Sequence, residues 1–292
     1  MNVAITGALG HIGSSLIHNL NHKLILIDNL STQRYCSLFD IPSSIKYNFI
    51  QADILSVDLI KLFEGSDVVI HLAAITDAET SFNKEELVNQ VNIQGTKLVA
   101  EACSKVGCRL IYTSTTSVYG VSDIEVNETC INLKPQSPYA KSKLKSELIL
   151  QSIPNLHYVI LRMGTIFGIS PGMRFHTAIN KFCFQTSFGQ PISVWKTALN
   201  QKRPYLDLKD MVRAIKLIIK HSLYNKEIYN LVTINTTVQD ILNIIGSKNI
   251  NYVDSPIMNQ FSYTVSSKKF ENLGFEFKGN LKQGIKETIE LL

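Results

Sequence analysis

No apolar run in this chain reaches membrane-spanning length, because Asn, Lys, Asp or Gly interrupts every stretch, and a spanning helix needs about 20 predominantly apolar residues. Also lacking is a basic opening followed by an apolar stretch and a cleavage site; the chain goes straight into "MNVAITGALG". The expectation is a cytoplasmic protein without a membrane partner. Charge of one sign is scarce too. The 29 Lys and Arg exceed the 24 Asp and Glu by 5, and the basic residues are spread along the chain. Dense basic clusters mark a nucleic-acid footprint, so no nucleic-acid partner is expected. The phosphates of a small ligand account for the mild excess more economically. Cysteines number only 5, at Cys36, Cys103, Cys108, Cys130 and Cys183. Cys103 and Cys108 are the only close pair, with a spacing that fits no familiar metal or redox pattern. They read as small, reduced, buried residues, and no metal site is expected. Internal repeats and low-complexity tracts are absent.

What the chain does have is length for a sizeable core, 292 residues, and an alternation of short apolar runs with longer amphipathic ones. Strands are predicted at Val3–Thr6, Leu24–Asp28, Tyr47–Ile50, Val68–Leu72, Leu110–Ser114 and Tyr158–Met163. Most are apolar on both faces, as central parallel strands are. Helices are predicted between them at His11–Leu20, Asp58–Phe63, Glu85–Val106 and Pro138–Ile153, the third with Leu87, Val91, Leu98 and Ala102 on roughly one face. After Gly168 the sequence turns irregular, aromatic and basic. A helix is expected at Asp207–Lys220, a further strand at "EIYNLV", and two or three helices beyond Thr237. The pattern is that of an α/β protein: a Rossmann-type doubly wound parallel sheet with a smaller, discontinuous mixed α/β substrate domain. The dinucleotide-binding part is assigned to 1–165 plus about 205–236, and the substrate domain to about 166–204 plus 237–292.

The strongest local signal is "VAITGALGHIGSSL", where Gly7, Gly10 and Gly13 lie between a strand and a helix. Glycines there allow a tight turn, close approach of backbone to a pyrophosphate, and close helix–sheet packing. The helix start then offers free N–H groups and partial positive charge to phosphates. Asp28 closes the next strand, where a carboxylate accepts bonds from the ribose hydroxyls and repels a 2′-phosphate, favouring NAD over NADP. A helix cap is the plainer role for such an Asp, and it is compatible with this one. Asp53, after the third strand, is placed to meet the adenine or to act as a cap.

"SPYAKSK" carries the chemistry. Ser137 and Pro138 make a helix start, and Tyr139 and Lys143, four apart, share one face. A phenol of ordinary pKa near 10 must come down by about three units to act as a base at neutral pH, which takes roughly 4 kcal/mol of preferential phenolate stabilisation. A nearby ammonium and an oxidised nicotinamide ring would provide it. Tyr205 and Lys209 have the same spacing, so position decides. Tyr139 lies beyond the fifth strand and its hydroxyl-rich exit "YTSTTSVYG", whereas Tyr205 reads as packing and Lys209 as surface.

Together, "TGALGHIGS", "DNLS", "HLAA", "NIQGT", "TSTTSVYG", "SPYAKSK", "LRMGTIFG" and "KRPYLDLKD", in this order over most of the chain, resemble the extended short-chain dehydrogenase/reductases of the nucleotide-sugar epimerase/dehydratase family. "DNLS" in particular resembles UDP-galactose 4-epimerases. The resemblance implies Tyr139 as base, Lys143 on the nicotinamide ribose and Thr115 on the reacting sugar hydroxyl. It implies a cofactor cradle of Gly7, Gly10, His11, Ile12, Gly13, Asp28, Asn29, Asp53, Ile54, Leu72, Ala73, Ala74 and Asn92. Arg203 takes the place of an Arg that binds the nucleotide diphosphate. It also implies a homodimer through a helix pair that includes Pro138–Ile153.

The departures concern the sugar half. Related 4,6-dehydratases carry an Asp-Glu pair directly after the catalytic Thr; here Thr116 and Ser117 stand there, which disfavours dehydration. Thr165 replaces a substrate Asn, and Phe261 stands where a second nucleotide-binding Arg is usual. Arg174 and His176 are candidate replacement contacts to phosphate or sugar. The activity expected is NAD-dependent epimerisation of a nucleotide-diphosphate sugar at C4. A nucleotide-sugar reductase or dehydrogenase using the same Thr, Tyr and Lys is the alternative.

Overall fold

The computed structural model describes residues 1–77, 80–254 and 262–292. Phe261 lies outside the described residues. Seven strands form one parallel sheet: β1 (Asn2–Thr6), β2 (Lys23–Asp28), β3 (Tyr47–Gln51), β4 (Val68–His71), β5 (Arg109–Thr115), β6 (Tyr158–Met163) and β10 (Ile228–Leu231), in the order β10-β6-β5-β4-β1-β2-β3. The order reverses between β1 and β4, a topological switch point where ligands of open α/β sheets bind. Strands β1, β4, β5 and β6 are almost wholly buried, which their largely apolar character predicts. The "EIYNLV" strand joins the sheet as β10, parallel to β6.

Helices cover both faces. On one, α1 (His11–Asn19) and α7 (Leu208–His221) pack on Ile5, Leu26, Ile70 and Leu161. On the other lie α2 (Leu59–Phe63), α4 (Gly95–Val106) and α5 (Pro138–Ser152), around Phe63, Val69, Val99 and Tyr112. The helix expected to run unbroken through Glu85–Val106 is divided. A short α3 (Glu85–Val88) passes through a wider π-turn at Asn89–Gln94 before α4 begins. Leu87 is therefore 46% exposed, whereas Val88, Asn92, Thr96 and Val99 are buried, and the expected apolar face is not continuous. Such π-turns cluster at functional sites.

A second layer lies beyond the strand ends. It holds a three-stranded sheet of β7 (Thr165–Phe167), β9 (Lys202–Asp207) and β11 (Ile234–Thr237), and a pair formed by β8 (Ile192–Trp195) and β12 (Ile250–Val253). Helices α6 (Ala178–Ser187), α8 (Val238–Ile245) and α10 (Leu281–Leu291) enclose a core of Phe167, Phe182, Val194, Ile241 and Ile285. The three-stranded sheet takes strands from both sides of the expected boundaries near 165, 205 and 236. Phe270, on the short α9 (Lys268–Glu271), and Phe275 pack with Tyr229 in the core of the main sheet. The last part of the chain thus serves both layers.

Candidate active site

One cavity of about 760 Å³ runs from the β1–α1 turn across the strand ends to the second layer. At its floor the chain turns from β1 into α1. Gly7 adopts φ +66°, and a Cβ there would lie 2.6 Å from the Ala73 nitrogen, so only glycine admits this turn. A Cβ on Gly13 would lie 2.3 Å from the Ala8 oxygen, which explains its closeness to the turn. Gly10 caps α1 without a side-chain hydrogen bond, and no acid occupies the first turn. These N–H groups are left for an anion, and the helix dipole favours one.

Asp28 flanks this turn. Its carboxylate accepts from Leu9 N at 3.1 Å and Leu30 N at 2.9 Å. The cap role and the ribose role coexist, because each oxygen retains a further lone pair. Asn29 donates to Asp53 at 3.0 Å, and Asp53 also caps Leu55 N at 2.9 Å. Both acids line the cavity, as do His11, Ile12, Ile54, Leu72, Ala73 and Ala74. This end fits an adenine dinucleotide: backbone donors for a pyrophosphate, and carboxylates for ribose and base.

Asn92 does not line the cavity. It is 1% exposed, and its amide is spent on Ile75 N at 2.8 Å, Ile75 O at 2.9 Å and Ser142 Oγ at 3.0 Å. It stands behind the wall and ties the β4 exit to α5, which is what the π-turn places it to do. The direct cofactor contact expected of it is corrected to this bracing role.

Thr115, Tyr139 and Lys143 converge on the cavity's middle. Ser137 Oγ accepts from Ala140 N at 3.1 Å and Pro138 occupies the first turn, so α5 starts as its sequence dictates. Burial pushes the Tyr139 phenol up to about 12, against a hydrogen bond with Thr115 and the Arg174 charge, both of which favour the phenolate. Lys143 is 3% exposed and donates to Thr113 O at 2.8 Å. Burial pulls its ammonium down to about 7, with the Glu147 carboxylate opposing. Arg174 is thus a positive charge acting on the phenol that the sequence did not point to. The rival pair does not form a unit. Tyr205 is a buried cavity residue on β9, while Lys209 starts α7 and pairs with Glu287 at 2.7 Å on the surface.

At the far end the cavity is lined by Thr165, Arg174, His176 and Arg203. Arg174 donates to Thr76 Oγ1. Burial, then the positive charge of Arg174, drives His176 down to about 4. Arg203 donates to Gln201 at 3.1 Å. Thr116 is 2% exposed and reaches Met163 O and the Tyr263 hydroxyl, and Ser117 faces the cavity. The described acids that line the cavity are Asp28, Asp53 and Asp77. Several lining residues went unnoticed in the sequence: Arg34, Thr76, Lys181 and Trp195. Arg34 follows directly on "DNLSTQ" and so carried a signal; the others lie in the divergent stretches.

The NAD dependent epimerase/dehydratase family model matches residues 3–231. The chain belongs to that family. A dTDP-D-glucose 4,6-dehydratase of Bos taurus is 31% identical over 99% of this chain and 87% of its own length. A trifunctional UDP-glucose 4,6-dehydratase/UDP-4-keto-6-deoxy-D-glucose 3,5-epimerase/UDP-4-keto-L-rhamnose-reductase of Arabidopsis thaliana is 28% identical over 99% of this chain. The chain spans 46% of that relative's length. Among solved structures, a UDP-glucuronic acid 4-epimerase of Bacillus cereus, in complex with UDP-glucuronic acid and NAD, aligns with a TM-score of 0.86 at 27% identity. That alignment covers 100% of this chain and 99% of the other. The family is NAD-dependent, in accord with the Gly7–Gly13 turn and Asp28. Among the described residues no helix is long and apolar enough to cross a membrane, and no group of three or more His, Cys, Asp or Glu is gathered for a metal ion.

Proposed function

We propose that this protein is an NAD-dependent nucleotide-sugar 4-epimerase. The observation that carries the reading is the pairing of a Thr115–Tyr139–Lys143 centre with Thr116 and Ser117 at the following positions, where the dehydratase pattern has two carboxyl groups. Hydroxyls of ordinary pKa cannot do the acid–base work of eliminating water at neutral pH.

Bound NAD supplies a reversible hydride acceptor. The protein's own groups do the rest. The turn at Gly7–Gly13 and the start of α1 hold the dinucleotide, with Asp28 on the adenosine ribose. Lys143 holds the second ribose and lends its charge to the phenol. Thr115 orients the sugar hydroxyl, and Tyr139 takes its proton, returning it once the transient keto-sugar has presented its other face. Arg203 and Arg174 neutralise the diphosphate and fix the sugar. A homodimer through α5, whose outer side exposes Lys141, Lys145 and Leu148, belongs to the same reading.

The test is a panel of UDP-, GDP- and dTDP-sugars given to purified protein. The expected result is interconversion of C4 epimers with no added reductant and no net change in the NADH absorbance band. Absorbance changing in step with substrate consumed would replace this reading with a reductase or dehydrogenase. A 4-keto-6-deoxy product would replace it with a dehydratase.

A further inference from the structure

The stretch between β7 and α6 is not hung on the second layer alone. Its backbone is laced to the outside of the β1–α1 turn. His11 Nε2 meets Gly168 O at 2.8 Å, and a carbonyl only accepts, so Nε2 carries the proton. Gly172 N donates to Ser14 Oγ at 2.9 Å; Ser14 donates to Ser170 Oγ at 3.1 Å; Ser170 donates to His11 O at 2.8 Å. Ser14 is fully buried and Ser170 is 9% exposed, so water does not replace these partners readily. A Cβ on Gly172 would stand 2.3 Å from Leu9 O and 2.6 Å from Gly10 O; here two backbones touch.

Two residues beyond Gly172 comes Arg174. Its carbonyl accepts from Asn180 Nδ2 at 3.0 Å, and its guanidinium lies in the cavity, where its charge acts on the Tyr139 phenol. The strap from 168 to 174 thus joins the carbonyl side of the dinucleotide turn to a cation beside the catalytic phenol. Gly10, His11, Ile12 and Gly13 of the same turn line the cavity, and no side-chain cap occupies the helix start.

We propose that His11, Ser14 and Ser170 are positioning residues that make the placement of Arg174, and with it the affinity for the sugar substrate, depend on cofactor occupancy of the β1–α1 turn. An anion on the turn's N–H groups polarises the His11–Ile12 peptide, whose carbonyl accepts from Ser170, so strap and cofactor stabilise one another. The coupling is reciprocal, since a substrate that grips Arg174 tightens the turn around the dinucleotide. The substrate side of this inference rests on the nucleotide-sugar reading above; the cofactor side does not.

Hydrogen exchange of the full-length protein, with and without saturating NAD, separates the two. In the wild type NAD is expected to slow exchange at Gly172 and Met173 by about tenfold or more. In Ser14→Ala or His11→Phe, NAD still binds but the slowing falls below about threefold, and His11→Gln, whose amide also donates, restores it. Ser170→Ala, at the rim, serves if Ser14→Ala fails to fold. With turnover of a nucleotide sugar, Ser14→Ala and Ser170→Ala raise KM by about fivefold or more, in the usual range of coupling, and leave kcat within about twofold. A strap indifferent to NAD in the wild type overturns the proposal, as does NAD protection that survives in both Ser14→Ala and His11→Phe. A strap that responds to NAD in a protein that turns over no nucleotide sugar upholds the coupling and removes the substrate reading.

Discussion

The Lys143 ammonium donates to the main-chain oxygen of Thr113 at 2.8 Å, two residues before Thr115 on β5, so the strand that brings Thr115 to the cavity also anchors the lysine. The same lysine is 3% exposed and held down to about 7 by burial. A lysine depressed in this way weakens the fold at neutral pH. Because its pKa drops from 10.5 to about 7 on folding, the unfolded chain binds more protons between those values, and stability climbs with pH across that window. Lys143→Met is therefore expected to lower kcat by about 10²- to 10⁴-fold yet to melt higher than the wild type at about pH 6, with the gap shrinking toward about pH 10. Melting curves over that range check it; a gap that does not change with pH would show that Lys143 carries no such penalty.

In the proposed reaction, Tyr139→Phe removes the proton acceptor and little else. A loss of about 10³-fold in kcat is expected, typical of a positioned base, with NAD affinity within about threefold of the wild type. Titrating NAD into both proteins, alongside the rate measurement, separates chemistry from binding.

The cofactor half of the site was legible in the sequence because each residue there answers a local demand. Gly7 is required by its positive φ, Gly13 by the Ala8 backbone within the same turn, and Asp28 stands at the end of β2. The sugar half was less legible, because its walls come from β7, β9, α6 and β8, which long-range packing brings together. The π-turn at Asn89–Gln94 was invisible for a different reason: the sequence there keeps the spacing of an ordinary helix, and the partners Asn92 reaches, Ile75 and Ser142, lie far along the chain. The lacing of Ser14 to Ser170 spans 156 positions and leaves no local trace.

Asp28→Ala should relax the preference for NAD over NADP. The carboxylate's repulsion of a 2′-phosphate disappears, and Arg34, close enough to feel the Asp28 charge and lining the same cavity, is then free to attract one. The ratio of NADP to NAD dissociation constants is expected to fall by about tenfold or more, equivalent to about 1.4 kcal/mol. An unchanged ratio would mean that Asp28 acts only as the cap of Leu9 and Leu30.

Behind Lys143, Glu147 is gripped by Arg162 through bonds of 2.7 and 3.0 Å and by Ser114 at 2.5 Å, with both charged side chains nearly inaccessible. Removing one partner strands the other charge, at a cost of about 3–5 kcal/mol. Glu147→Ala and Arg162→Met should each lower the melting temperature by about 6 °C, taking about 2 °C per kcal/mol, the low end of the range for somewhat shorter chains. The double variant should recover much of the loss, since an apolar replacement of a buried pair is often near neutral. A double variant as unstable as the sum of the singles would show that the two charges do not depend on each other.

His71 supplies the pH test of the fold. Its Nδ1 pairs with Thr6 Oγ1 at 2.7 Å and its Nε2 with Thr96 Oγ1 at 3.1 Å, while its ring lies against Tyr112. Burial, then the Lys143 charge, drives its pKa from 6.5 to about 3. Above 6.5 the ring is neutral whether the chain is folded or not. As pH falls from there, the unfolded chain takes up a proton that the folded one refuses, so stability present at neutral pH is lost toward about pH 3. His11 and His176, both lowered to about 4 by burial first, add the same sign over a narrower window. Stability of the wild type should therefore decline between about pH 6.5 and 4.5, with His71 contributing about 1.4 kcal/mol per pH unit once the unfolded histidine is fully protonated. His71→Asn should flatten that decline by about one proton, whatever it does to stability at pH 7. Denaturant titrations at closely spaced pH values measure the slope, and a variant with the wild-type slope would mean that His71 is free to protonate in the folded protein.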